Sequence, residues 1–259
     1  MQNKYAGDVG DFGKFGLLNY LFSDKKWKIG VIWFLYPDEK NKNDGNHINY
    51  LSRPEFVICD PDLINKLGQV ACSSNRNVKA LEEIGILKPG TVYYGELLDF
   101  YHNFPGQTKE NKERRIILRR RWLQRAIEIT KECNVLFVDP DNGLEIKSCP
   151  NLNQKKSGKY IYYSEIKELF KGKEVLVIYH HLNRHKNHGS HEQQIRNRAV
   201  DLYKLLPPQN SVFAIRFKRY SQRAYFIICS SESKNIIRNK LKKFLNTPWG
   251  KHWDSFCEV

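Results

Sequence analysis

The motif DPDNG holds the residues best suited to chemistry in this chain. It directly follows the apolar run NVLFV, so Asp139, Asp141 and Asn142 emerge where a buried strand should end. Pro140 and Gly143 are turn residues, because proline restricts the backbone and glycine permits conformations that other residues avoid. Carboxylate and amide oxygens can accept hydrogen bonds from an amino group or bind a hard cation. We therefore expect catalytic roles for the two aspartates and the asparagine, although the same residues would also make an ordinary capping turn.

A histidine-rich segment follows a second apolar run, EVLVIY. Five of the chain's eight histidines lie within the thirteen residues YHHLNRHKNHGSH. Histidine can transfer protons, bind metals or contact phosphate. The spacing matches no standard zinc motif, and the interleaved Lys and Arg favour a phosphate-binding loop. Nearest the strand are His180, a candidate catalytic residue, and Arg184, a candidate nucleic-acid contact, with an ordinary polar loop as the alternative.

Three further acidic residues and one lysine are candidates for binding a cofactor. Asp38 and Glu39 follow the run IGVIWFL, and Asp60 follows EFVIC. An acid after a strand can bind the hydroxyl pair of a ribose, although Asp60 could instead cap the next helix. Lys14 belongs to GDVGDFGKFG, a glycine-rich segment before a helix whose backbone N–H groups could bind an anion. The segment lacks the GxxxxGK(S/T) motif, so we do not expect a P-loop.

The chain is strongly basic. Its 259 residues include 43 Lys and Arg against 28 Asp and Glu, a formal net charge of +15. This surplus favours DNA or RNA as a partner, since Lys and Arg neutralise phosphates, with a generally lysine-rich composition as the alternative. It is concentrated in a long basic helix and in the turn RFKRYSQR, where aromatic residues could stack on bases. The arginines expected to contact nucleic acid are Arg115, Arg119, Arg120 and Arg121 in the helix, Arg219 and Arg223 in the turn, and Arg184.

Apolar runs alternate with helical patterns along the whole chain. The runs predict strands at residues 29–35, 55–59, 91–94, 134–138, 174–179, 211–217 and 224–229. Helices are predicted at 12–22, 63–67, 78–84, 112–132, 164–170, 192–206 and 233–245. Strands separated by helices require crossovers and a parallel sheet, whereas the last two strands form an antiparallel hairpin. We therefore expect one α/β domain, Rossmann-like and methyltransferase-like, with a mainly parallel seven-stranded sheet whose strand ends share a ligand-binding edge.

Several classes of protein are excluded by composition. With 41% apolar and 27% charged residues, the chain is neither disordered nor collagen-like. No apolar run reaches the roughly 18 to 20 residues of a membrane span, so we expect no membrane partner. The first residues lack the apolar core of a secretory signal, and six cysteines without a CxxC pair predict reduced thiols in the cytoplasm.

Several of these motifs also carry a resemblance. In chain order, KYAGDVGDFGKFGLLNYL, IGVIWFLYPDE with NDG, VLFVDPDNGLE, VIYHHLNR and RYSQRAYF resemble an uncharacterised bacterial protein family over nearly the whole length. More distantly, the plan resembles the adenine-N6 methyltransferases of large-subunit ribosomal RNA. That family also begins with a small-Gly-Asp-Lys helical segment and places an Asp-Pro-Pro-aromatic motif after its fourth strand. Here Asp139 and Pro140 match, Asp141 and Asn142 replace the second proline and the aromatic residue, and YPDEKNKNDG replaces the family's glycine-rich loop. The resemblance implies a Rossmann-like methyltransferase fold and S-adenosylmethionine as cofactor.

Three functions remain open on sequence grounds. In a nucleic-acid methyltransferase, Asp139 would accept a hydrogen bond from the target amine, and Asp38 or Asp60 would hold the cofactor. In a Mg²⁺-dependent nuclease of the kind used in phage defence, Asp139, Asp141 and Glu145 would bind the metal. In a catalytically inactive module, the same basic segments would bind nucleic acid with strong salt dependence and no turnover.

Overall fold

The computed structural model describes residues 1–39, 45–183 and 189–259. Its strands are β1 (Ile29–Ile32), β2 (Val92–Tyr94), β3 (Val135–Val138), β4 (Gly143–Leu144), β5 (Tyr160–Ile161), β6 (Val175–His181), β7 (Ser211–Phe217), β8 (Arg223–Cys229) and β9 (Trp253–Glu258). Its α-helices are α1 (Val9–Leu21), α2 (Pro54–Val57), α3 (Pro61–Ala71), α4 (Val78–Glu83), α5 (Phe100–Asn103), α6 (Lys109–Ile129), α7 (Tyr163–Phe170), α8 (His191–Tyr203) and α9 (Ser231–Leu245).

Seven of the strands form one sheet in the order β2-β1-β3-β6-β8-β7-β9. The first four neighbours are parallel, whereas β8 runs antiparallel to both β6 and β7, and β9 runs antiparallel to β7. Strands β4 and β5 form a separate parallel pair. The predicted α/β fold, with a mostly parallel seven-stranded sheet and a closing antiparallel hairpin, is confirmed at this level.

The strand predicted at residues 55–59 is wrong. Pro54 begins the short helix α2, since its fixed φ suits a first helical turn and its missing N–H would be unpaired there anyway. Phe56 is buried but Ile58 is 62% exposed, so the segment could not fill the interior of a sheet. The seventh strand is β9, whose sequence WDSFCE was too polar to predict as a strand.

Helices cover both faces of the sheet. Along β3, Val135 and Phe137 share one core with residues of α1, α3 and α9, whereas Leu136 and Val138 share a second core with residues of α6, α7 and α8. Because both faces are buried, the central strands contain unbroken apolar runs, and this is why runs such as VLFV predicted them. In the described part of the chain, no helix is both long and apolar enough to cross a membrane.

Helix α1 packs closely against the C-terminal part of the chain. Its glycine-rich sequence lets it do so, because a Cβ at Gly16 would lie only 2.1 Å from Cη2 of Trp249. Trp249 belongs to the 3-10 helix Pro248–Lys251. The glycine therefore sets the distance between α1 and this short helix.

We expect Gly16→Ala to lower the free energy of unfolding by about 1–3 kcal/mol, because overpacking against Trp249 outweighs the better helix propensity of alanine. Gly68 provides a matched control, since it also lies inside a helix but a Cβ there would meet only Leu51, at 3.9 Å. Gly68→Ala should raise the free energy of unfolding by up to about 1 kcal/mol. Urea denaturation followed by circular dichroism measures both, and a stabilised Gly16→Ala protein would contradict the proposed packing.

Candidate functional site

A cavity of about 450 Å³ lies at the carboxyl ends of β1, β3 and β6. Strand β1 has β2 on one side and β3 on the other. The order in which parallel strands are added to the sheet therefore reverses at β1. Ligands of open α/β sheets bind in the crevice at such a switch point. The lining comes from the N-terminal segment, the DPDNG turn, the end of β6 and the β7–β8 turn.

The centre of the site is a buried ion cluster around Lys14. Its Nζ lies 2.6 Å from Oδ1 of Asp11 and 2.6 Å from Oδ2 of Asp139, and all three side chains are almost fully buried. Burial disfavours the charged form of Lys14, but Asp11 and Asp139 outweigh that effect and raise its pKa. The ammonium group therefore stays charged and connects α1 to the end of β3.

Asp8, Asp11 and Lys14 follow one another at intervals of three residues at the start of α1. Asp8 caps the helix, its Oδ1 accepting hydrogen bonds from the backbone N–H groups of Gly10 at 2.7 Å and Asp11 at 3.3 Å. Oδ2 of Asp11 accepts another from Gly7 N at 2.8 Å. Burial raises the pKa of Asp11 to about 6, although Lys14 opposes the shift.

Aromatic rings surround the Lys14 ammonium group. The ring centroids of Trp33, Phe15 and Phe137 lie 5.4, 5.5 and 5.9 Å from Nζ. The negative faces of such rings attract a cation and exclude water from it. Together with the two carboxylates, they leave Lys14 little freedom to move.

A second ion cluster forms around Lys159, beside β5. Its Nζ lies 2.7 Å from Oε2 of Glu39 and 3.2 Å from Oδ2 of Asp141. The same Asp141 oxygen accepts a hydrogen bond from Gln2 Nε2 at 2.8 Å, and the Met1 amino group lies 3.8 Å from its Oδ1. Burial alone would raise the pKa of Asp141, but the Met1 amino group and Lys159 outweigh it and lower the pKa.

The third side of the cavity comes from β6 and β8. Tyr179 and His181 line it from β6, and Arg223 lines it from β8, where it pairs with His181 in the sheet register. Nη2 of Arg223 lies 3.5 Å from Oδ2 of Asp8. Burial disfavours the charged guanidinium, but Asp8, Tyr179 and Tyr225 together outweigh it and raise the pKa of Arg223. Burial raises the pKa of Tyr179 to about 12 despite the neighbouring Arg223.

The cavity therefore presents carboxylates and cations side by side. Such a lining suits a polar ligand that carries both kinds of charge. Within the described residues, Oδ1 of Asp139 accepts no hydrogen bond, whereas Oδ2 is held by Lys14. A ligand amino group that donates to Oδ1 would thus meet a carboxylate already fixed in position.

The structure brings most of the strand-end candidates together. The predicted residues that line the cavity are Asp139, Asp141, Asn142, Glu39, Lys14 and Arg223. Asp38 lies outside the lining, and its Oδ1 accepts a hydrogen bond from Lys4 N at 3.3 Å. Asp60 follows the helix α2 rather than a strand, and it caps α3 by accepting a hydrogen bond from Leu63 N at 2.9 Å. The alternative prediction of a helix cap is thus confirmed for Asp60, and the premise for its ribose-binding role is wrong.

His180 is packed beneath the DPDNG turn instead of lining the cavity. Its Nδ1 accepts a hydrogen bond from Leu144 N at 3.1 Å, and a Cβ at Gly143 would lie 2.3 Å from the same atom. Burial lowers the pKa of His180 to about 3, so the imidazole is neutral. Because successive strand residues point to opposite faces, His181 shares the cavity with Tyr179. His180 was predicted to be catalytic, but its side chain does not line the cavity, whereas that of His181 does.

Two of the predicted nucleic-acid contacts, Arg115 and Arg119, are buried and so are not available to a nucleic acid. Nε of Arg119 lies 2.6 Å from Oε1 of Glu165, and its two amino groups donate to backbone carbonyls. Arg115 donates to the carbonyls of Phe104 and Gly106. These arginines hold loops onto α6, which the count of basic residues could not reveal.

The other basic candidates differ in exposure. Arg120 and Arg121 are exposed on α6 and remain candidate contacts. Arg219 is half-buried, and it donates to His252 Nδ1 at 2.7 Å and to a backbone carbonyl. Arg223 belongs to the cavity, and Arg184 lies outside the described residues.

The carboxylates expected to bind Mg²⁺ do not form a cluster. Asp139 pairs with Lys14 and Asp141 with Lys159, whereas Glu145 accepts a hydrogen bond from Tyr163 N at 3.2 Å. Across residues 1–39, 45–183 and 189–259, no group of three His, Cys, Asp or Glu side chains is placed to hold a metal ion.

Sequence reasoning missed several residues of the site. Asp8 and Asp11 had a usable signal, since their spacing with Lys14 places all three near one side of a helix. Tyr179 and His181 could have been found from the alternation of a strand that continues to His181. Lys159 had no signal, because no sequence pattern places the 3-10 helix Ser157–Lys159, which ends at this residue, beside Asp141.

Comparisons with known proteins add little to this description. No protein-family model matches the chain, and no curated protein matches it. A solved structure that does match is the crystal structure of protein LPL1258 from Legionella pneumophila str. Philadelphia 1, family-model DUF519. The TM-score is 0.45 and the sequence identity 11%, with 98% of this chain and 97% of that chain covered. A likeness of this size carries no argument about function.

The neutral, buried His180 predicts a loss of stability in mild acid. Its pKa of about 3 in the folded protein lies below the ordinary 6.5, so the unfolded chain binds the proton preferentially. The neutral imidazole of His180 therefore makes its full contribution to the free energy of unfolding above about pH 6.5, and this contribution is lost as the pH falls. From this group we expect the free energy of unfolding to drop by about 1–2 kcal/mol between pH 6.5 and 5.

Urea denaturation of wild type and two variants over this pH range measures the effect. The drop should disappear in His180→Gln and persist in His102→Gln, since His102 is exposed. Equal pH slopes for wild type and His180→Gln would show that His180 is not buried in its neutral form.

Proposed function

We propose that this protein is a nucleic-acid methyltransferase that binds S-adenosylmethionine in the cavity and methylates an amino group of a base. The observation that carries the proposal is the position of Asp139. It follows β3 at the switch point of the sheet, lines the cavity and is fixed by Lys14 at 2.6 Å. A carboxylate in this place can accept a hydrogen bond from the amino group that is to be methylated.

The order of the strands supports the proposal. Parallel β2, β1, β3 and β6 are followed by the hairpin of β7 and β8, whose second strand inserts antiparallel beside β6. A parallel sheet closed by a hairpin that folds back is the plan expected for a Rossmann-like methyltransferase. The resemblance of GDVGDFGK and of the Asp139–Pro140 pair to ribosomal RNA adenine-N6 methyltransferases points the same way.

The lining of the cavity fits S-adenosylmethionine in size and charge. A volume of about 450 Å³ lies within the range of cofactor sites, roughly 300–1,000 Å³. Asp141 and Glu39 would hold cationic parts of the cofactor, and Lys159 or Arg223 its carboxylate. The cofactor would supply the methyl group.

Glycines reach the cavity both from α1 and from the segment that follows β1. Gly10 and Gly45 both line it. Gly45 has φ of +87°, and a Cβ there would lie 2.6 Å from the carbonyl oxygen of Lys4. At Gly10, a Cβ would lie 2.9 Å from the guanidinium of Arg223. At both positions the glycine lets the backbone at the edge of the cavity lie close against other parts of the protein, where a side chain would not fit.

Asp139→Asn tests the proposal directly. Binding of S-adenosylmethionine is measured by isothermal titration, and methyl transfer by incorporation of labelled methyl into RNA and DNA. We expect wild type to bind and transfer, and Asp139→Asn to lose about 100-fold or more of the transfer rate, because one fixed acceptor at the reacting group is weakened.

Asp38→Asn is the matched control, since Asp38 lies outside the cavity lining, and it should transfer at the wild-type rate. Circular dichroism of Asp139→Asn checks that the protein remains folded. Absence of cofactor binding by wild type at millimolar concentration would overturn the proposal. Nucleic-acid binding without transfer would favour the inactive module instead.

A further inference from the structure

The β7–β8 turn presents an aromatic side chain in an unusual backbone conformation. Tyr220 has φ of +55°, the one positive φ at a residue other than glycine in the described chain. For an aromatic residue this conformation is strained by roughly 1–2 kcal/mol, and it persists only where the surroundings enforce it. The residue is 37% exposed, so part of it is open to solvent.

The residues on both sides of Tyr220 are firmly held. Before it, Lys218 N donates to the carbonyl of His252 at 2.8 Å, and Arg219 Nε donates to Nδ1 of the same histidine at 2.7 Å. After it, the carbonyl of Gln222 accepts a hydrogen bond from Leu182 N at 3.2 Å, at the end of β6. These contacts tie the turn to two separate elements, so the position of Tyr220 is fixed by its neighbours.

The ring of Tyr220 lies beside the cavity and against a second aromatic ring. Its centroid is 4.9 Å from that of His47, at an interplanar angle of 35°. His47 and Ser221, the residue after Tyr220, both line the cavity. His47 is exposed, and its carbonyl accepts a hydrogen bond from Val9 N at 3.1 Å, which ties it to the start of α1. The two rings thus form an aromatic pair at the edge of the cavity.

Positive charge flanks this aromatic pair. Lys218 and Arg219 directly precede Tyr220. Lys218 is already paired with a carboxylate, since its Nζ lies 2.9 Å from Oδ1 of Asp254. No carboxylate of the described residues lies within 4 Å of the guanidinium of Arg219. Exposed rings beside cations are the elements with which proteins hold an unpaired nucleotide, the ring stacking on the base and the cation facing the phosphate.

We propose that Tyr220 and His47 bind an unpaired nucleobase of the substrate at the edge of the cavity, next to the base that enters it. This inference rests on the proposed function and narrows it, since a base can stack there only if it has left a duplex. The substrate class is therefore single-stranded nucleic acid or an unpaired loop. The strained backbone of Tyr220 holds the ring in place before the substrate arrives, so less freedom is lost on binding.

Fluorescence anisotropy with a labelled single-stranded oligonucleotide, as RNA and as DNA, tests the inference without any methyl transfer. Tyr220→Asn removes the ring, and asparagine tolerates positive φ, so the turn should keep its shape. We expect its Kd to rise about 5- to 100-fold relative to wild type. Tyr220→Phe keeps a ring and should stay within about twofold of wild type.

Two further measurements separate the possible results. The salt dependence of Kd should be equal in wild type and Tyr220→Asn, because the ring neutralises no phosphate, and a duplex of the same sequence should bind more weakly than the single strand. An unchanged Kd in Tyr220→Asn overturns the inference and leaves the proposed function standing. So does a loss confined to S-adenosylmethionine binding, which would assign the rings to the cofactor. If wild type binds neither strand nor duplex, the proposed function itself fails.

Discussion

The ammonium group of Lys14 fixes the candidate site, because two buried carboxylates from different parts of the chain depend on it. One belongs to the same helix, and the other, on Asp139, lies 125 residues away in sequence. Leaving either carboxylate buried without a cation would be strongly destabilising, by several kcal/mol. Helix α1 and the end of β3 are therefore held in one relative position, and the cavity takes its shape between them.

Several buried basic side chains of this protein hold parts of the interior together. Arg119 pairs with Glu165 and with two carbonyls, Lys159 joins Glu39 to Asp141, and Arg223 faces Asp8. Each of these cations joins segments that are separated in the sequence. A formal charge of +15 remains on the whole chain, yet the count of basic residues does not tell which of them face solvent.

The sequence predicted those parts of the fold that follow from burial. Runs such as VLFV are apolar at every position because helices cover both sides of the sheet, so the central strands could be recognised. Strand β9 could not, since its polar residues hide the pattern, and residues 55–59 looked like a strand although Pro54 starts a helix there.

The same limit applies to the site. Asp139 and Asp141 were predicted because they end a buried strand, whereas the choice between His180 and His181 depended on where β6 stops. That strand continues through both histidines, so its alternation places His181 on the same face as Tyr179 and His180 on the opposite face. Lys159 could not be predicted, since only the tertiary fold brings it to Asp141.

The packing of α1 also bears on when the site can form during synthesis. A Cβ at Gly13 would lie 2.9 Å from the ring of Phe217, and Gly16 lies against Trp249. Lys14 stands between these two glycines, so its helix reaches its final place only after both aromatic residues have left the ribosome. Until then the apolar side of α1 is exposed on the nascent chain and open to chaperones or to misassembly. The ion cluster at the heart of the cavity can therefore be completed only after residues far downstream of α1 have been translated.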